Sequence, residues 1–281
     1  MPSIESLHIY PVKSMRGIAV PRTILTLSGL LGDRRFMVVD PSGHFITQRE
    51  CPALAKISAL PDAAGLKLEM DEDSIMVVPS SAKRQNVSVW RSIVNAAVAD
   101  DAVNARISQW LGREALLVFA DTQARRFANP DWAGKAVPLG FSDGYPVLVT
   151  TTGSLKALNQ YLEEQGQVPV PMDRFRPNIV IDHDEPFADD GWGAIEINGV
   201  RLDLVKPCER CVITTQDQMT GEQGLGDPMP AMRHLHFSTD RRAPGPIFGW
   251  NAVPRGQVEL SKGDAVRIVE NRKEAWPFKV R

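Results

Sequence analysis

Two of the three cysteines stand three residues apart, at Cys208 and Cys211, with Arg210 directly before the second. A thiolate is the form of cysteine that binds soft metals or attacks as a nucleophile, and adjacent positive charge favours that form. The β-branched run Val212–Thr215 follows Cys211 and is typical of a strand. We therefore predict that Cys211 is the reactive atom of the protein, held where a loop enters a strand.

The C-x-x-C spacing has several interpretations. A zinc site needs two further ligands, and only Cys51 and scattered histidines are available for it. His234 and His236 share one face of a predicted strand at 233–237 and could in principle supply them. A redox dithiol of the thioredoxin kind normally begins a helix, whereas Cys211 begins a predicted strand. Both interpretations are disfavoured, which leaves either one functional thiolate with the other cysteine as its neighbour, or two inert buried cysteines.

Basic residues cluster in four loops that lie at the ends of predicted strands. They are Lys13 with Arg16, Arg34 with Arg35, Arg174 with Arg176, and Arg210. Arginines at such junctions, beside a thiol, favour an anionic ligand held by bidentate guanidinium contacts. Phosphate fits this chemistry, although the chain contains neither glycine-rich phosphate motif, G-x-G-x-x-G or G-x-x-x-x-G-K-[ST]. For any single loop, the alternative is solvated surface charge.

The composition is that of an ordinary globular protein: 281 residues, 43% hydrophobic and 23% charged, with a formal net charge of −2. This length favours about two domains. The near-neutral charge gives no reason to expect nucleic-acid binding, and no apolar run approaches the roughly 18 residues that span a bilayer. Three cysteines are too few for a disulfide framework or for a plant-type iron–sulfur cluster. We expect a cytoplasmic protein that would obtain any redox electrons from elsewhere.

Short stretches of alternating or β-branched residues, separated by Pro, Gly and Asp, predict many strands. Residues 37–39 and 44–48 are predicted to form a hairpin, and Asn198-Gly199 to join a second one. Further strands are expected at residues 4–12, 18–27, 66–70, 74–78, 87–90, 115–119, 146–150, 179–182, 194–197, 200–205, 233–237, 258–260 and 265–269. Many short strands at regular spacing favour a barrel or a sandwich.

Two helices are predicted among these strands. The first starts after an aspartate cap at position 100 or 101 and ends at Gly112. The second starts after a threonine cap at position 151 or 152 and stops at Gly166. Glycine and proline breakers make 121–140 the expected seam between two domains, and 221–230 an irregular loop.

Four motifs stand in order along the chain. They are Tyr10-Pro11-Val12-Lys13-Ser14, Asp33-Arg34-Arg35-Phe36, Phe175-Arg176-Pro177-Asn178 and Cys208-Glu209-Arg210-Cys211-Val212-Ile213-Thr214-Thr215. Their sequence and order resemble those of MOSC-domain proteins over nearly the whole chain, and most of all the YcbX-type bacterial proteins and the mitochondrial amidoxime-reducing component. The resemblance implies a mainly β (α+β) fold with a few peripheral helices. An N-terminal MOSC β-barrel domain, residues 1–122, would pack on a C-terminal MOSC β-barrel domain, residues 123–281.

The resemblance also implies a molybdenum–molybdopterin cofactor in the cleft, with Cys211 as the metal ligand. The contacts that it implies with the pterin and its phosphate fall on Lys13, Ser14, Arg34, Asp143, Gly144, Tyr145, Arg176, Asn178, Glu209, Arg210 and Cys211. Asp143 is a candidate either for orienting the cofactor or for proton traffic. Mitochondrial relatives have small hydroxyl residues at the positions of Gly144 and Tyr145, and serine at that of Glu209. Those contacts are therefore either made by the backbone here or lost.

Three functions are consistent with the resemblance. The first is a molybdenum-dependent reductase of small N-hydroxylated compounds, which receives electrons from a separate flavin or iron–sulfur protein. The second is a carrier that holds a persulfide on Cys211 and passes its sulfur to a biosynthetic acceptor. The third is a pterin-binding or storage module without turnover. Neither a fused ferredoxin domain nor a membrane anchor is expected in this chain.

Overall fold

The computed structural model of the chain describes residues 1–80 and 82–279, and it is built mainly from β-strands. The strands are β1 (Ser3–Ile9), β2 (Ile18–Val20), β3 (Arg22–Thr26), β4 (Gly29–Leu30), β5 (Phe36–Val39), β6 (Ser58–Asp62), β7 (Gly65–Met70), β8 (Asp73–Val77), β9 (Lys83–Val89), β10 (Ser92–Val98), β11 (Leu116–Phe119), β12 (Val147–Thr151), β13 (Ile179–Asp182), β14 (Trp192–Ile197), β15 (Val200–Glu209), β16 (Phe237–Ser238), β17 (Gly245–Pro254), β18 (Val258–Ser261) and β19 (Val266–Asn271). The α-helices are α1 (Asp101–Leu111), α2 (Pro130–Ala133), α3 (Thr152–Glu164) and α4 (Pro228–Leu235). Short 3-10 helices span Pro52–Lys56, Met172–Phe175, Ala188–Gly191 and Val212–Thr215.

One nine-stranded sheet contains strands from both ends of the chain. Its order is β19-β14-β15-β17-β12-β13-β1-β2, with β16 paired to β17. β1 pairs antiparallel with β13 and with β2, while β12 and β13 run parallel. Leu7 of β1 is fully buried in the same apolar core as Val149 of β12 and Trp250 of β17. The N-terminal strand is therefore an integral part of a sheet that the second half of the chain builds. The domain boundary predicted after residue 122 stays a prediction.

Three smaller sheets occur in the described residues, in the orders β5-β11-β10-β9, β18-β3-β4 and β6-β7-β8. A second apolar core lies between strands of the first half of the chain and helix α1, and it includes Val38, Leu54, Val103 and Leu117. Burying apolar side chains in this way is the main force that holds such sheets and helices together. The predicted fold class, mainly β with a few helices, is confirmed.

Both predicted helices are confirmed, but only the second has a side-chain cap at its start, because the Asp100 side chain makes no capping hydrogen bond to α1. α1 follows Asp100 and ends at Gly112, whose φ of 63° lies in the left-handed region that favours glycine. α3 follows Thr151, whose side-chain oxygen accepts a hydrogen bond from the Ser154 backbone N–H. The turn at Asn198-Gly199 is confirmed as well, because both residues have positive φ and join β14 to β15.

The strand predicted directly after Cys211 is wrong, because Val212–Thr215 forms a turn of 3-10 helix. The backbone N–H and the hydroxyl of Thr214 both donate to the Cys211 carbonyl, at 3.1 and 3.0 Å. The Thr215 hydroxyl donates to the Val212 carbonyl at 2.8 Å. These local side-chain hydrogen bonds compete with a sheet ladder and outweigh the β propensity of the run. Cys211 therefore lies between the end of β15 and a tight helical turn.

The strand predicted at 233–237 is also wrong, because helix α4 extends to residue 235. Asp227 caps this helix with its side chain, and a proline occupies the first helical position, so the irregular loop predicted up to residue 230 ends here. The two histidines have different neighbours as a result. His234 stacks on a tyrosine of α3, whereas His236 hydrogen-bonds to an aspartate. They do not offer a shared pair of ligands to the cysteines.

The hairpin predicted at 37–48 has the expected turn but only one regular strand, β5. The Ile46 N–H donates to the Val38 carbonyl at 2.8 Å, so pairing persists for a few residues after the turn. The chain then leaves the sheet. This departure brings Thr47 and Arg49 to the site described below.

Candidate functional site

A cleft with an empty volume of about 790 Å³, partly open to solvent, brings together loops from distant parts of the chain. The predicted site residues that line it are Lys13, Ser14, Arg34, Asp143, Gly144, Tyr145, Arg176, Asn178, Arg210 and Cys211. Thr47, Arg49, Ser142 and Cys208 line it as well. Each of the four predicted basic loops thus contributes a cation to the cleft that contains Cys211, although Arg16, Arg35 and Arg174 of those loops do not line it.

The Cys211 sulfur is half-buried at the cleft and has a cation as its neighbour. Nη2 of Arg49 lies 3.1 Å from Sγ of Cys211 and donates to it. Arg210, which precedes Cys211 in sequence, donates instead to Sγ of Cys208 at 3.0 Å and to the Phe175 carbonyl at 2.7 Å. Each of the two thiols therefore has its own guanidinium.

Arg49 is the main residue of the site that the sequence analysis did not identify. It comes 162 positions before the sulfur that it contacts, so no local spacing relates the two. The available signal was its place at the end of a predicted hairpin strand, where the other basic loops also begin.

Two guanidinium groups of the site stack on one buried aromatic ring. Cζ of Arg34 lies 4.1 Å, and Cζ of Arg176 4.3 Å, from the centre of the Tyr10 ring. The Tyr10 hydroxyl donates to the Pro177 carbonyl at 3.1 Å, and burial raises the pKa of this phenol. A neutral, fixed ring is a suitable platform for two cations that would otherwise repel each other. Tyr10 therefore positions both arginines at the cleft.

Arg176 is a cation without an acidic partner in the described ranges, 1–80 and 82–279. Its guanidinium donates to neutral oxygens only, Oε1 of Gln218 and the Met15 carbonyl, both at 2.9 Å. Burial lowers its pKa to about 10, and the nearby Arg34 acts in the same direction. A desolvated guanidinium of this kind is stabilised by an anion, and phosphate accepts its paired N–H groups well.

Three residues of the cleft have left-handed backbone conformations. The φ angles are 65° for Ser14, 44° for Arg34 and 51° for Arg176. Non-glycine residues adopt this region rarely, and each instance has an energetic cost of the order of 1–3 kcal/mol that the surrounding structure must offset. Their concentration around one cleft is typical of a binding site whose backbone is held in place before the ligand arrives.

Asp143 lies on the open wall of the cleft and accepts two hydrogen bonds there. Its Oδ1 receives the Lys13 ammonium and, at 3.0 Å, Nε1 of Trp90. The cleft walls partly desolvate the carboxyl, which would raise its pKa, but the charge and hydrogen bond of Lys13 outweigh this and hold the pKa below its ordinary range. The group is therefore a carboxylate at neutral pH. This geometry favours an orienting role over proton donation.

The loop that contains Asp143 is fixed from behind by a buried arginine. Arg126 donates to the carbonyls of Gly140 at 3.1 Å, Ser142 at 2.5 Å and Asp143 at 2.8 Å. The Ser142 hydroxyl is buried, lines the cleft and has no hydrogen-bond partner in the structure. A buried hydroxyl without a partner is costly, so this atom is a ready contact for a polar ligand.

Asn178 and Glu209 are placed differently from the other predicted contacts. Oδ1 of Asn178 accepts from Nη1 of Arg34 at 3.2 Å and from the Leu148 N–H at 3.1 Å, so this side chain holds the arginine in place. Glu209 does not line the cleft, and its carboxylate pairs with Lys206. A direct contact from Glu209 to a cofactor is therefore not supported by this geometry.

The donor set also indicates which kind of metal group fits. Within the described residues, no cluster of three or more His, Cys, Asp or Glu side chains could hold a metal ion by itself. A metal at Cys211 must therefore arrive already coordinated by a larger group. The surrounding cations and the unpartnered Ser142 hydroxyl fit an anionic organic cofactor, and a soft thiolate suits molybdenum. No helix in the described part of the chain is long and apolar enough to cross a membrane.

Family profiles match both parts of the sequence. One profile, described as "MOSC N-terminal beta barrel domain", matches residues 1–114, and another, described as "MOSC domain", matches residues 137–267. The chain is a MOSC-domain protein. The family resemblance inferred from the four motifs is thereby confirmed for most of the chain's length.

Two named relatives share much of this MOSC-domain chain. Human "Mitochondrial amidoxime-reducing component 1" is 28% identical over 283 residues, which are 95% of this chain and 83% of that protein. "Molybdenum cofactor sulfurase" of Solanum lycopersicum is 27% identical over 87% of this chain but only 32% of its own length. Among solved structures, the YUAD protein from Bacillus subtilis aligns over 95% of this chain and 94% of its own, at 11% identity and a TM-score of 0.41.

Proposed function

We propose that this MOSC-domain protein is a molybdenum cofactor-dependent reductase that converts the N–OH groups of small molecules to N–H. The observation that supports this most directly is the Cys211 sulfur, which opens into a cleft where Lys13, Arg34, Arg49 and Arg176 converge. The name of the human relative, an amidoxime-reducing component, supports the same chemistry.

Each part of the cofactor has a matching group in the cleft. Cys211 would supply the one protein ligand to the metal, with Arg49 orienting its sulfur. Arg34 and Arg176 would bind the phosphate, because Arg176 has no anionic partner in the described residues and both guanidinium groups are stacked in place. Lys13 adds a third positive charge at the Asp143 wall.

When bound, the molybdenum centre supplies the two electrons with which the N–OH oxygen leaves as water. The chain's own residues would bind the cofactor and position the substrate beside it. The Asp143 carboxylate holds the Lys13 ammonium toward the cleft, and burial, which lowers the pKa of that lysine, makes this pairing more important. The cleft is open to solvent, from which two protons can enter, one that completes the water and one that completes the N–H group.

A second candidate function is sulfur transfer from a persulfide on Cys211. It is favoured by a partly exposed sulfur beside a guanidinium, and by the similarity to a protein named as a cofactor sulfurase. A third candidate is cofactor binding without turnover. All three functions use the same cleft, so metal content and turnover must be measured separately.

The deciding experiment compares Cys211→Ser with Cys208→Ser, both purified from a host that makes the cofactor. We expect stoichiometric molybdenum in the parent protein and in Cys208→Ser, and its loss in Cys211→Ser, by elemental analysis. Anaerobic reduction of hydroxylamine, hydroxylaminopurine and an amidoxime with an artificial electron donor should follow the metal content. A cyanide-labile sulfur on Cys211 without molybdenum would instead support the carrier, and molybdenum without N–OH reduction would support the binding module.

The electron donor is proposed to be a separate flavin or iron–sulfur protein, since three cysteines cannot bind a four-cysteine cluster. A cytoplasmic location likewise stays a prediction. If the artificial donor supports turnover and NADH alone does not, the need for a separate donor is supported; turnover with NADH alone would contradict it.

A further inference from the structure

A second concave surface adjoins the cleft and has a different chemical character. It has an empty volume of about 1210 Å³, much of it open to solvent, and it shares Asp143, Gly144 and Tyr145 with the cleft. We call it the aromatic groove, and define it by the rings of Phe45, Trp90, Phe127 and Tyr145 that line it. None of the roles assigned above to the cofactor site uses the faces of these rings.

Two of the rings that line the aromatic groove are substantially exposed to solvent. Trp90 is 48% and Phe127 52% exposed. Trp90 occupies the turn between β9 and β10 with a φ of 54°, and its ring packs against that of Phe45 at a centroid distance of 5.2 Å. Packed aromatic rings with exposed faces beside a cleft are a candidate binding surface for a flat apolar group.

Trp90 also connects the groove to the reactive sulfur. Its Nε1 donates to Asp143 in the cleft wall, and Cζ of Arg49 lies 5.4 Å from its ring centre. Arg49 in turn donates to Sγ of Cys211. The aromatic groove is therefore next to the cleft that contains Cys211. A ligand whose flat ring lies in the groove can extend a smaller group toward a metal bound at Cys211.

We propose that the aromatic groove is a substrate subsite that binds the planar aromatic or heteroaromatic ring of an N-hydroxylated compound. The ring lies against Trp90 and Phe127, and the N–OH group extends past Asp143 into the cleft. Aromatic side chains bind flat rings by burial and by offset or edge-to-face contact, and a small aliphatic substituent cannot fill such a surface. This proposal rests on the proposed reductase function, whose substrate class it specifies.

Binding measured without turnover tests the subsite independently of catalysis. The protein, loaded with cofactor but given no electron donor, is titrated with benzamidoxime and with acetamidoxime by calorimetry. These two probes share the N–OH group and differ in the ring. We expect Phe127→Ala to weaken benzamidoxime binding roughly 3- to 10-fold and to leave acetamidoxime unchanged, whereas Phe127→Tyr keeps the affinity. Val168→Ala, which trims another exposed apolar side chain outside both surfaces, is the matched control.

Turnover adds a second readout. The phenyl ring of benzamidoxime is remote from the N–OH bond that reacts. Removing its contact with the side chain of residue 127 in Phe127→Ala should therefore raise KM for benzamidoxime and leave kcat nearly unchanged. Equal affinities of the two probes, or benzamidoxime binding that does not respond to Phe127→Ala, would overturn the subsite even if N–OH reduction is observed. Ring-dependent binding with no reduction of either probe would leave the subsite standing and refute the reductase.

Discussion

The pair of Asp33 and Arg34 allows a quantitative test of how the site is held together. Nη1 of Arg34 lies 2.9 and 2.8 Å from the two carboxylate oxygens of Asp33, whose Oδ1 also accepts from the Tyr10 N–H at 2.8 Å. Only 2% of the Asp33 side chain and 14% of the Arg34 side chain are exposed. Asp33→Asn keeps the shape and the Tyr10 hydrogen bond but leaves the guanidinium without its carboxylate.

Removing one partner of a fully buried ion pair costs about 3–5 kcal/mol. Arg34 faces the open cleft and still donates to Oδ1 of Asn178 in the variant, so we expect a smaller loss of roughly 2–3 kcal/mol in the free energy of unfolding. Urea denaturation of the cofactor-free protein measures it. Glu5→Gln, which removes a carboxylate from the exposed pair with Lys262, is the control and should cost less than about 1 kcal/mol.

A double-mutant cycle distinguishes an unpaired charge from a general packing defect. In Asp33→Asn/Arg34→Met the unpaired guanidinium is gone, so the double variant should be less destabilised than the sum of the single variants. Additive losses would refute the reasoning. Cofactor content should fall in both single variants, because each removes or misplaces a cation of the cleft.

Two further predictions concern residues around the site. Burial and the adjacent Asp190 charge raise the pKa of Asp189 above its ordinary value, so ionising this carboxyl destabilises the folded protein as pH rises above about 4. Denaturation curves should show the parent protein losing stability relative to Asp189→Asn as pH rises from 5 to 8, and a constant difference would contradict this. A Cβ on Gly224 would lie 1.9 Å from the Arg174 guanidinium, so Gly224→Ala should lower the melting temperature by several degrees, whereas Gly144→Ala, which meets no atom within 4 Å, should not.

Sequence reasoning was sufficient where a single local signal acts, and it failed where two local signals compete. The Gly112 end of α1, the Thr151 cap of α3 and the Asn198-Gly199 turn depend on residues a few positions apart, and each formed as predicted. The two failed strands at 212–215 and 233–237 have local alternatives that compete with β propensity. In one case threonine hydroxyls bond to nearby carbonyls, and in the other an aspartate cap and a proline start a helix.

The sequence by itself determined the closely spaced cysteine pair, the basic loops and the membership of a family whose domains match most of the chain. Only the tertiary structure decided which guanidinium meets which sulfur, since Arg49 reaches Cys211 from a turn in the other half of the chain. The same holds for the stacking of Arg34 and Arg176 on Tyr10. Contacts between residues far apart in sequence depend on how the sheets pair and pack. Secondary-structure propensity and the local spacing of residues do not specify which distant segments come together.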